Sequence, residues 1–291
     1  MISNQSKVKI IGIGNVGASI LQAFAQQGFS PVGIEIDQRA REAAPQKIEK
    51  NLSTLVEKGK MPDETKKGIL SRMTITGDLS AIQGADIIIE AVFEEMNTKK
   101  ELFKKMDGMN LPAHTLFLTN TSSLSVTEIA SVTRRADRCA GMHFFNPVPI
   151  MKLVEVIRGA ETSMETIEKV KELARLLGKV PIVSKDAPAF IVNRMLNALT
   201  VEAAKIVEEG VGSIEDVDTG AKLGLGHPMG PFELFDYLNG IGLLVHVTEY
   251  MEKELGSRFR IPVWVKNLVR AGRLGKDYGK GFYEYPSKRE A

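Results

Sequence analysis

The stretch from Lys7 to Asp37 constrains this chain more than any other. Val8, Ile10, Ile11 and Ile13 form an apolar β-branched run that passes into Gly12-x-Gly14-x-x-Gly17, after which Ala18, Ile20, Leu21 and Phe24 follow at helical spacing. In such a strand–turn–helix the first glycine allows a sharp turn, the second lets the backbone approach a pyrophosphate, and the third lets the helix pack closely on the sheet. The unsatisfied N–H groups and positive dipole end of the new helix face the same turn and suit an anion. A glycine turn alone also arises for packing reasons. Here Pro31-Val-Gly-Ile-Glu-Ile-Asp37 adds a second strand ending on a carboxylate. It lies about 20 residues past the glycines, where a ribose 2′-hydroxyl needs an acceptor. Together they predict a dinucleotide site with Gly12, Gly14, Gly17 and Asp37 as cofactor contacts. A carboxylate at Asp37 favours NAD over NADP because it repels a 2′-phosphate, while Arg39 acts in the opposite sense.

Further along, helical patterns run through Ile48, Leu52, Leu55 and Val56 to Lys58-Gly59, and again after Pro62-Asp63. Strand-like runs follow at Met73–Thr76, Ala85–Ala91, Thr115–Thr119, Arg138–His143, Leu153–Ile157 and Val180–Val183, with a helix predicted from Met164 to Leu177 between the last two. Strands alternating with helices predict an α/β domain, a Rossmann-type, doubly wound, mostly parallel sheet. Beyond Lys185-Asp-Ala-Pro188 the character changes. Helices are expected over Phe190–Glu208, Ile214–Leu223, Pro231–Leu238, Ile241–Glu254 and Pro262–Ala271, and no strand-like run appears until Gly281–Tyr285. The expected division is a cofactor domain over 1–185 and a smaller all-helical C-terminal domain over 186–291.

Composition narrows the function classes. A net charge of +2 without a basic block gives no case for nucleic acid. No window approaches the ~18 apolar residues of a membrane span, and Met1–Lys7 does not read as a signal peptide. The single cysteine, Cys139, excludes an internal disulfide and points to a reducing cytoplasm, with a core role for the residue itself. No metal is called for.

Ligands on open α/β sheets bind beyond the carboxyl ends of the strands, so polar residues just after each strand matter most. After Ala85–Ala91 come Glu94 and Lys99, which are either cofactor contacts or a solvated helix start. After Thr115–Thr119 comes Asn120-Thr-Ser-Ser-Leu-Ser125, where Ser125-x-x-Glu128 has the form of a capping box, leaving Ser122 and Ser123 to meet a ligand. His143 ends a strand among Phe144, Phe145, Pro147 and Pro149. Glu155 lies inside the apolar strand Leu153–Ile157, where an unpaired charge is costly, so it needs a partner. His143 is the natural one, and the pair would fix the imidazole tautomer as a proton-abstracting base requires. Asn193 falls within the predicted Phe190–Glu208 helix, off the stripe of Ile191, Met195 and Leu199.

These residues resemble the L-3-hydroxyacyl-CoA dehydrogenases over nearly the whole chain. The resemblance rests on the glycine turn with Asp37, Glu90-Ala-Val-Phe-Glu94, Asn120–Leu124, His143-Phe-Phe-Asn-Pro-Val-Pro149 with Lys152-Leu-Val-Glu155, Phe190-Ile-Val-Asn-Arg194, Gly226-His-Pro-Met-Gly-Pro231 and Gly279-Lys-Gly-Phe282. It implies an NAD-dependent oxidoreductase acting on an acyl-CoA substrate. His143 would be the base, Glu155 its orienting carboxylate, and Ser122 and Asn193 the groups that hold the substrate oxygen. Glu94 and Lys99 would be cofactor contacts, and Lys58 the match for a lysine that meets CoA phosphates. One departure is Ala189, where the family usually has glycine.

Two other readings stay open at this level. One is a related sugar-acid dehydrogenase on the same scaffold, and the other a nucleotide-binding structural or sensor protein without catalysis. Apolar helices such as Ile241–Val247 also call for more cover than a five-helix layer supplies, so a homodimer through the helical half is expected.

Overall fold

A computed structural model describes residues 2–286. The chain forms two compact units, the first ending at Ala187 and the second beginning at Pro188.

The first unit starts with β1 (Val8–Ile11), α1 (Asn15–Gln26), β2 (Val32–Ile34), α2 (Gln38–Glu57), α3 (Asp63–Ser71) and β3 (Thr74–Thr76). It continues with β4 (Ile87–Glu90), α4 (Met96–Asp107), β5 (Leu116–Thr119), α5 (Val126–Ala130), β6 (Cys139–Phe144), β7 (Leu153–Arg158), α6 (Met164–Leu176) and β8 (Val180–Lys185). One sheet of eight strands takes the order β3-β2-β1-β4-β5-β6-β7-β8. Every pairing is parallel except β6 with β7. The order reverses beside β1, which puts a switch-point crevice beyond the carboxyl ends of β1 and β4.

Successive strand residues point to opposite faces, and the core divides accordingly. Ile87, Ile89, Leu116, Leu118, Ala140 and Met142 join the cluster on one face. Ile88, Phe117 and Cys139 join the other. Because helices cover both faces, β4, β5 and β6 are buried at every position, as continuous apolar runs require. Helix α1 is buried without a break from Gly17 to Ala25, with Phe24 edge-on to Phe29 at 5.1 Å. Truncating such an aromatic to alanine typically costs about 3–5 kcal/mol.

The second unit contains α7 (Val192–Glu208), α8 (Ile214–Thr219), α9 (Pro231–Tyr237), α10 (Ile241–Leu255) and α11 (Val263–Arg270). Three expectations need correction here. Residues 281–285 form no strand and make only an isolated bridge, Lys280 to Glu284. The reason is a tertiary partner: the buried Asp236 carboxylate takes the N–H groups of Phe282 and Tyr283 at 2.8 and 2.9 Å and the Tyr285 hydroxyl at 3.0 Å. Asp218, also buried, does the same for the Phe232 and Glu233 N–H groups and the Tyr283 hydroxyl. These carboxylates fasten the terminal segment over an aromatic core in which Phe232 and Phe282 stand 4.7 Å apart. Second, α7 starts at Val192 rather than Phe190, because Ala189 and Phe190 adopt left-handed φ of 60° and 52°. Third, the buried stripe of α7 runs through Asn197, Thr200, Val201 and Ala204, while Met195 is 61% exposed.

Cys139 opens β6 inside the core, and burial pushes its thiol up to about 12 despite the Thr133 hydroxyl beside it. Since thiolate is the reactive form, a neutral disulfide reagent at pH 8 should leave the native protein unlabelled. One equivalent of thiol should react once denaturant unfolds the chain, which a chromogenic thiol assay with and without urea measures.

Candidate active site

The glycine turn follows β1 directly. A Cβ on Gly17 would stand 1.8 Å from the Gly12 carbonyl oxygen, so only glycine lets α1 start so close to the turn. Gly12, at φ +89°, would bring a Cβ within 2.6 Å of the Ala91 carbonyl oxygen at the end of β4. Gly14 differs, because a Cβ there would meet nothing within 4 Å. Packing within the protein does not explain that glycine, whereas a pyrophosphate seated on the backbone does. Gly14 is also the N-cap of α1, without a capping side chain and with no acidic residue in the first turn, so the dipole end is unopposed. These residues fit a dinucleotide. Asp37 is exposed at the N-cap of α2, its Oδ1 accepting from the Ala40 N–H at 2.7 Å. Ile36 and Phe93, 83% and 80% exposed, leave apolar surface beyond β2 and β4, on either side of β1.

A charged chain runs under the next loop. Glu90, the last residue of β4, is wholly buried and accepts from Lys99 Nζ at 2.6 Å, from the Thr119 hydroxyl at 2.7 Å and from the Val92 N–H at 2.8 Å. Lys99, on α4, is 1% exposed, and its ammonium also lies 3.2 Å from Glu94. Lys99, expected as a cofactor contact or part of a solvated helix start, is therefore directed inward, held by two carboxylates. Glu94 Oε1 in turn accepts from the Thr121 hydroxyl at 2.6 Å, the Ser122 N–H at 2.8 Å and the Ser122 hydroxyl at 3.2 Å. Burial pushes the Glu94 carboxyl upward, but the Lys99 charge with the Thr121 and Ser122 hydrogen bonds outweighs it and holds the group below its ordinary range. Ser123, expected to meet a ligand, is buried, with its hydroxyl 3.4 Å from Glu94. Ser125 caps α5 by accepting from the Glu128 N–H, yet only half of the capping box forms. The Ser125 hydroxyl donates to Asp186, and Glu128 pairs with Lys100 instead.

Strand β7 turns back antiparallel on β6, and its register sets Glu155 directly across from His143. His143 Nδ1 lies 2.8 Å from Glu155 Oε2, with both side chains buried. The Phe145 ring stands 4.5 Å from the imidazole. Asn120 Oδ1 accepts from the Phe144 N–H at 2.9 Å, tying the Ser122 loop to the end of β6. Lys179, also buried, donates to the carbonyls of Val148 and Met151 and closes the loop that follows.

Ser122, His143 and Glu155 thus belong to one sheet edge of the first unit, together with the glycine turn, Asp37, Glu94 and the inward Lys99. Asn193 belongs to the second unit, as the second residue of α7, where its carbonyl accepts from the Asn197 amide at 2.7 Å. It sits in the first helical turn, not the interior, because α7 starts late. Lys58 caps the C-terminal end of α2 and is exposed. The lysine that α2 brings to the start of α1 is Lys47, whose ammonium donates to Asn15 Oδ1 at 2.6 Å. Sequence reasoning missed Glu90, although it ends an apolar run as Glu155 interrupts one, and the same cost argument finds it. Asn120, Lys179 and Glu35 carry no comparable signal.

A glycine turn open to a pyrophosphate, at the switch point of a doubly wound sheet and on the same edge as a carboxylate-paired histidine, defines a dinucleotide-dependent oxidoreductase. Residues 7–187 match the NAD binding domain of 3-hydroxyacyl-CoA dehydrogenase, and residues 190–285 its C-terminal domain. The chain belongs to the 3-hydroxyacyl-CoA dehydrogenase family and binds NAD through its first unit. It is 42% identical over 283 residues to a probable 3-hydroxybutyryl-CoA dehydrogenase of Bacillus subtilis, covering 97% of this chain and 98% of that protein. It is 41% identical over 292 residues to the human mitochondrial hydroxyacyl-coenzyme A dehydrogenase, covering 96% and 90%. The structure is similar to that of (S)-3-hydroxybutyryl-CoA dehydrogenase from Ralstonia eutropha, with a TM-score of 0.93 at 38% identity over 97% of this chain and all of that one. No helix among the described residues is long and apolar enough to cross a membrane.

Replacing Lys99 by methionine strands Glu90 in the core and releases Glu94. Breaking a buried pair on one side typically costs about 3–5 kcal/mol. Glu94 is depressed in the folded state, so its contribution is full above the unfolded carboxyl range and is lost as pH falls through its folded value. Urea denaturation of Lys99→Met should therefore show a large deficit at pH 7 that persists down to the ordinary carboxyl range and shrinks only below it.

Proposed function

We propose that the chain catalyses NAD-linked, reversible oxidation of a 3-hydroxyacyl-CoA to the 3-ketoacyl-CoA, of the 3-hydroxybutyryl-CoA type that serves fatty acid and butanoate metabolism. The His143–Glu155 pair carries this reading. With Nδ1 on the carboxylate, proton exchange is directed to Nε2. His143 takes the 3-hydroxyl proton there, and Glu155 holds the tautomer and balances the positive charge that the ring acquires. Ser122 and Asn193 hold the reacting oxygen, which keeps C3 aligned while its C–H bond breaks and the C=O bond forms. When bound, the nicotinamide supplies the hydride acceptor. Glu94 positions the Ser122 loop and faces the cofactor, and Lys99 acts through Glu94. Lys58, exposed at the C-terminal end of α2, meets the CoA phosphates. The single, buried Cys139 suits a reducing cytoplasm.

Acetoacetyl-CoA reduction followed by NADH absorbance tests this reading, with a free 3-hydroxy sugar acid as the competing substrate. His143→Gln should lower kcat by roughly 10²–10⁴-fold. Since the histidine and carboxylate act as a unit, His143→Gln/Glu155→Gln should be little worse than His143→Gln alone. Near-normal turnover of His143→Gln, or losses that multiply independently, would put the base elsewhere.

We also infer a homodimer through the helical unit. Leu223, Val211, Leu225 and Leu243 are 83%, 75%, 65% and 58% exposed there, more apolar surface than an isolated helical layer normally presents to water. Sedimentation at micromolar concentration should give twice the 31.9 kDa chain mass, and a single-chain mass would overturn the inference.

A further inference from the structure

Asp37 is one of two carboxylates on the turn after β2, and the other is the more tightly placed. We propose that Glu35 both latches the glycine turn to the end of β2 and, together with Asp37, excludes a 2′-phosphorylated cofactor. The proposal rests on the dinucleotide reading of the glycine turn. β2 ends at Ile34, so Glu35 is the first residue beyond the strand. Its Oε2 accepts from the Ile13 N–H at 2.8 Å, inside Gly12-x-Gly14, and its Oε1 accepts from the Asp37 N–H at 3.0 Å. The carboxylate therefore bridges the two chain segments between which the adenosine ribose lies in doubly wound folds. The main chain reinforces the bridge, since the Gly12 N–H donates to the Ile34 carbonyl at 2.9 Å and the Glu35 N–H donates to the Thr76 carbonyl at 2.9 Å.

The electrostatics follow from what holds the carboxylate. Both oxygens are engaged by backbone N–H groups. Arg41, the basic side chain anchored at this turn, donates to the Glu35 and Ile36 carbonyls at 2.9 and 3.5 Å rather than to either carboxylate. The Glu35 charge is thus fixed in place, and no lysine or arginine among the described residues pairs with it. A ribose 2′-hydroxyl tolerates that environment and can donate into it, whereas a 2′-phosphate brings added negative charge beside two carboxylates. Arg39, exposed on the first turn of α2, is a cation that would favour phosphate, and the paired carboxylates oppose it.

Fluorescence titration of NADH and NADPH onto the purified chain reads affinity without turnover. Glu35→Gln keeps an acceptor for the Ile13 N–H but removes the charge. It should lower the ratio of NADPH to NADH dissociation constants roughly tenfold, the scale of one partly screened charge. Glu35→Asp keeps the charge but shortens the reach to Ile13, so it should weaken both cofactors alike and leave the ratio near the wild-type value. An unchanged ratio in Glu35→Gln, or a shift in Glu35→Asp as large as in Glu35→Gln, would overturn the proposal. Failure of the wild-type chain to bind NADH would overturn the dinucleotide reading itself, and this proposal with it.

Discussion

The arrangement of this molecule depends on a carboxylate in the middle of a strand. Glu155 is wholly buried, flanked by Val154 and Val156 in the core. An isolated carboxylate in such surroundings would neutralise or disrupt the sheet. His143 resolves the conflict only because β7 reverses direction against β6. In a parallel pairing the chain would have to cross over before returning, and the two residues would meet only through a long connection. The single antiparallel step in an otherwise parallel sheet places carboxylate opposite imidazole at one register position. That step also sets the imidazole at the carboxyl edge, where a doubly wound sheet binds its ligands.

The Glu90–Lys99–Glu94 chain applies the same logic at β4, two strands from β6 and beside the switch point. Two carboxylates share one ammonium, and the outer one organises the Ser122 loop through its hydroxyls and amides. A buried ion pair is seldom a net stabiliser against a well-packed apolar alternative. Its effect here is geometric. Thr119, Thr121 and Ser122 are held by carboxylates whose positions are fixed by a lysine that cannot move without stranding charge.

How much of this was legible before the structure depends on the range of each interaction. The glycine turn is local, so its three glycines and the two flanking strands could be read directly from spacing. The alternating domain and the helical domain also followed from periodicity. Glu155 was legible because burial cost is a property of the run around it, and the same argument extends to Glu90. What escaped notice was decided by tertiary partners. Lys99 sits on a helix with no local sign that its ammonium turns inward. Glu35 carries no local sign that its carboxylate reaches the Ile13 N–H. Residues 281–285 have a strand's composition, but Asp236, far back in the sequence, takes their backbone donors first.

Ala189 shows how a single residue can set where a helix begins. At φ 60° it holds a conformation that costs a non-glycine residue roughly 1–2 kcal/mol, and Phe190 follows it into the same region. The side chains offset part of that cost. Ala189 is fully buried with Val247, Met251 and Phe259, so its methyl fills core volume that glycine would leave empty. The left-handed pair delays helix formation until Val192, and Asn193 therefore falls in the first turn of α7 rather than its interior.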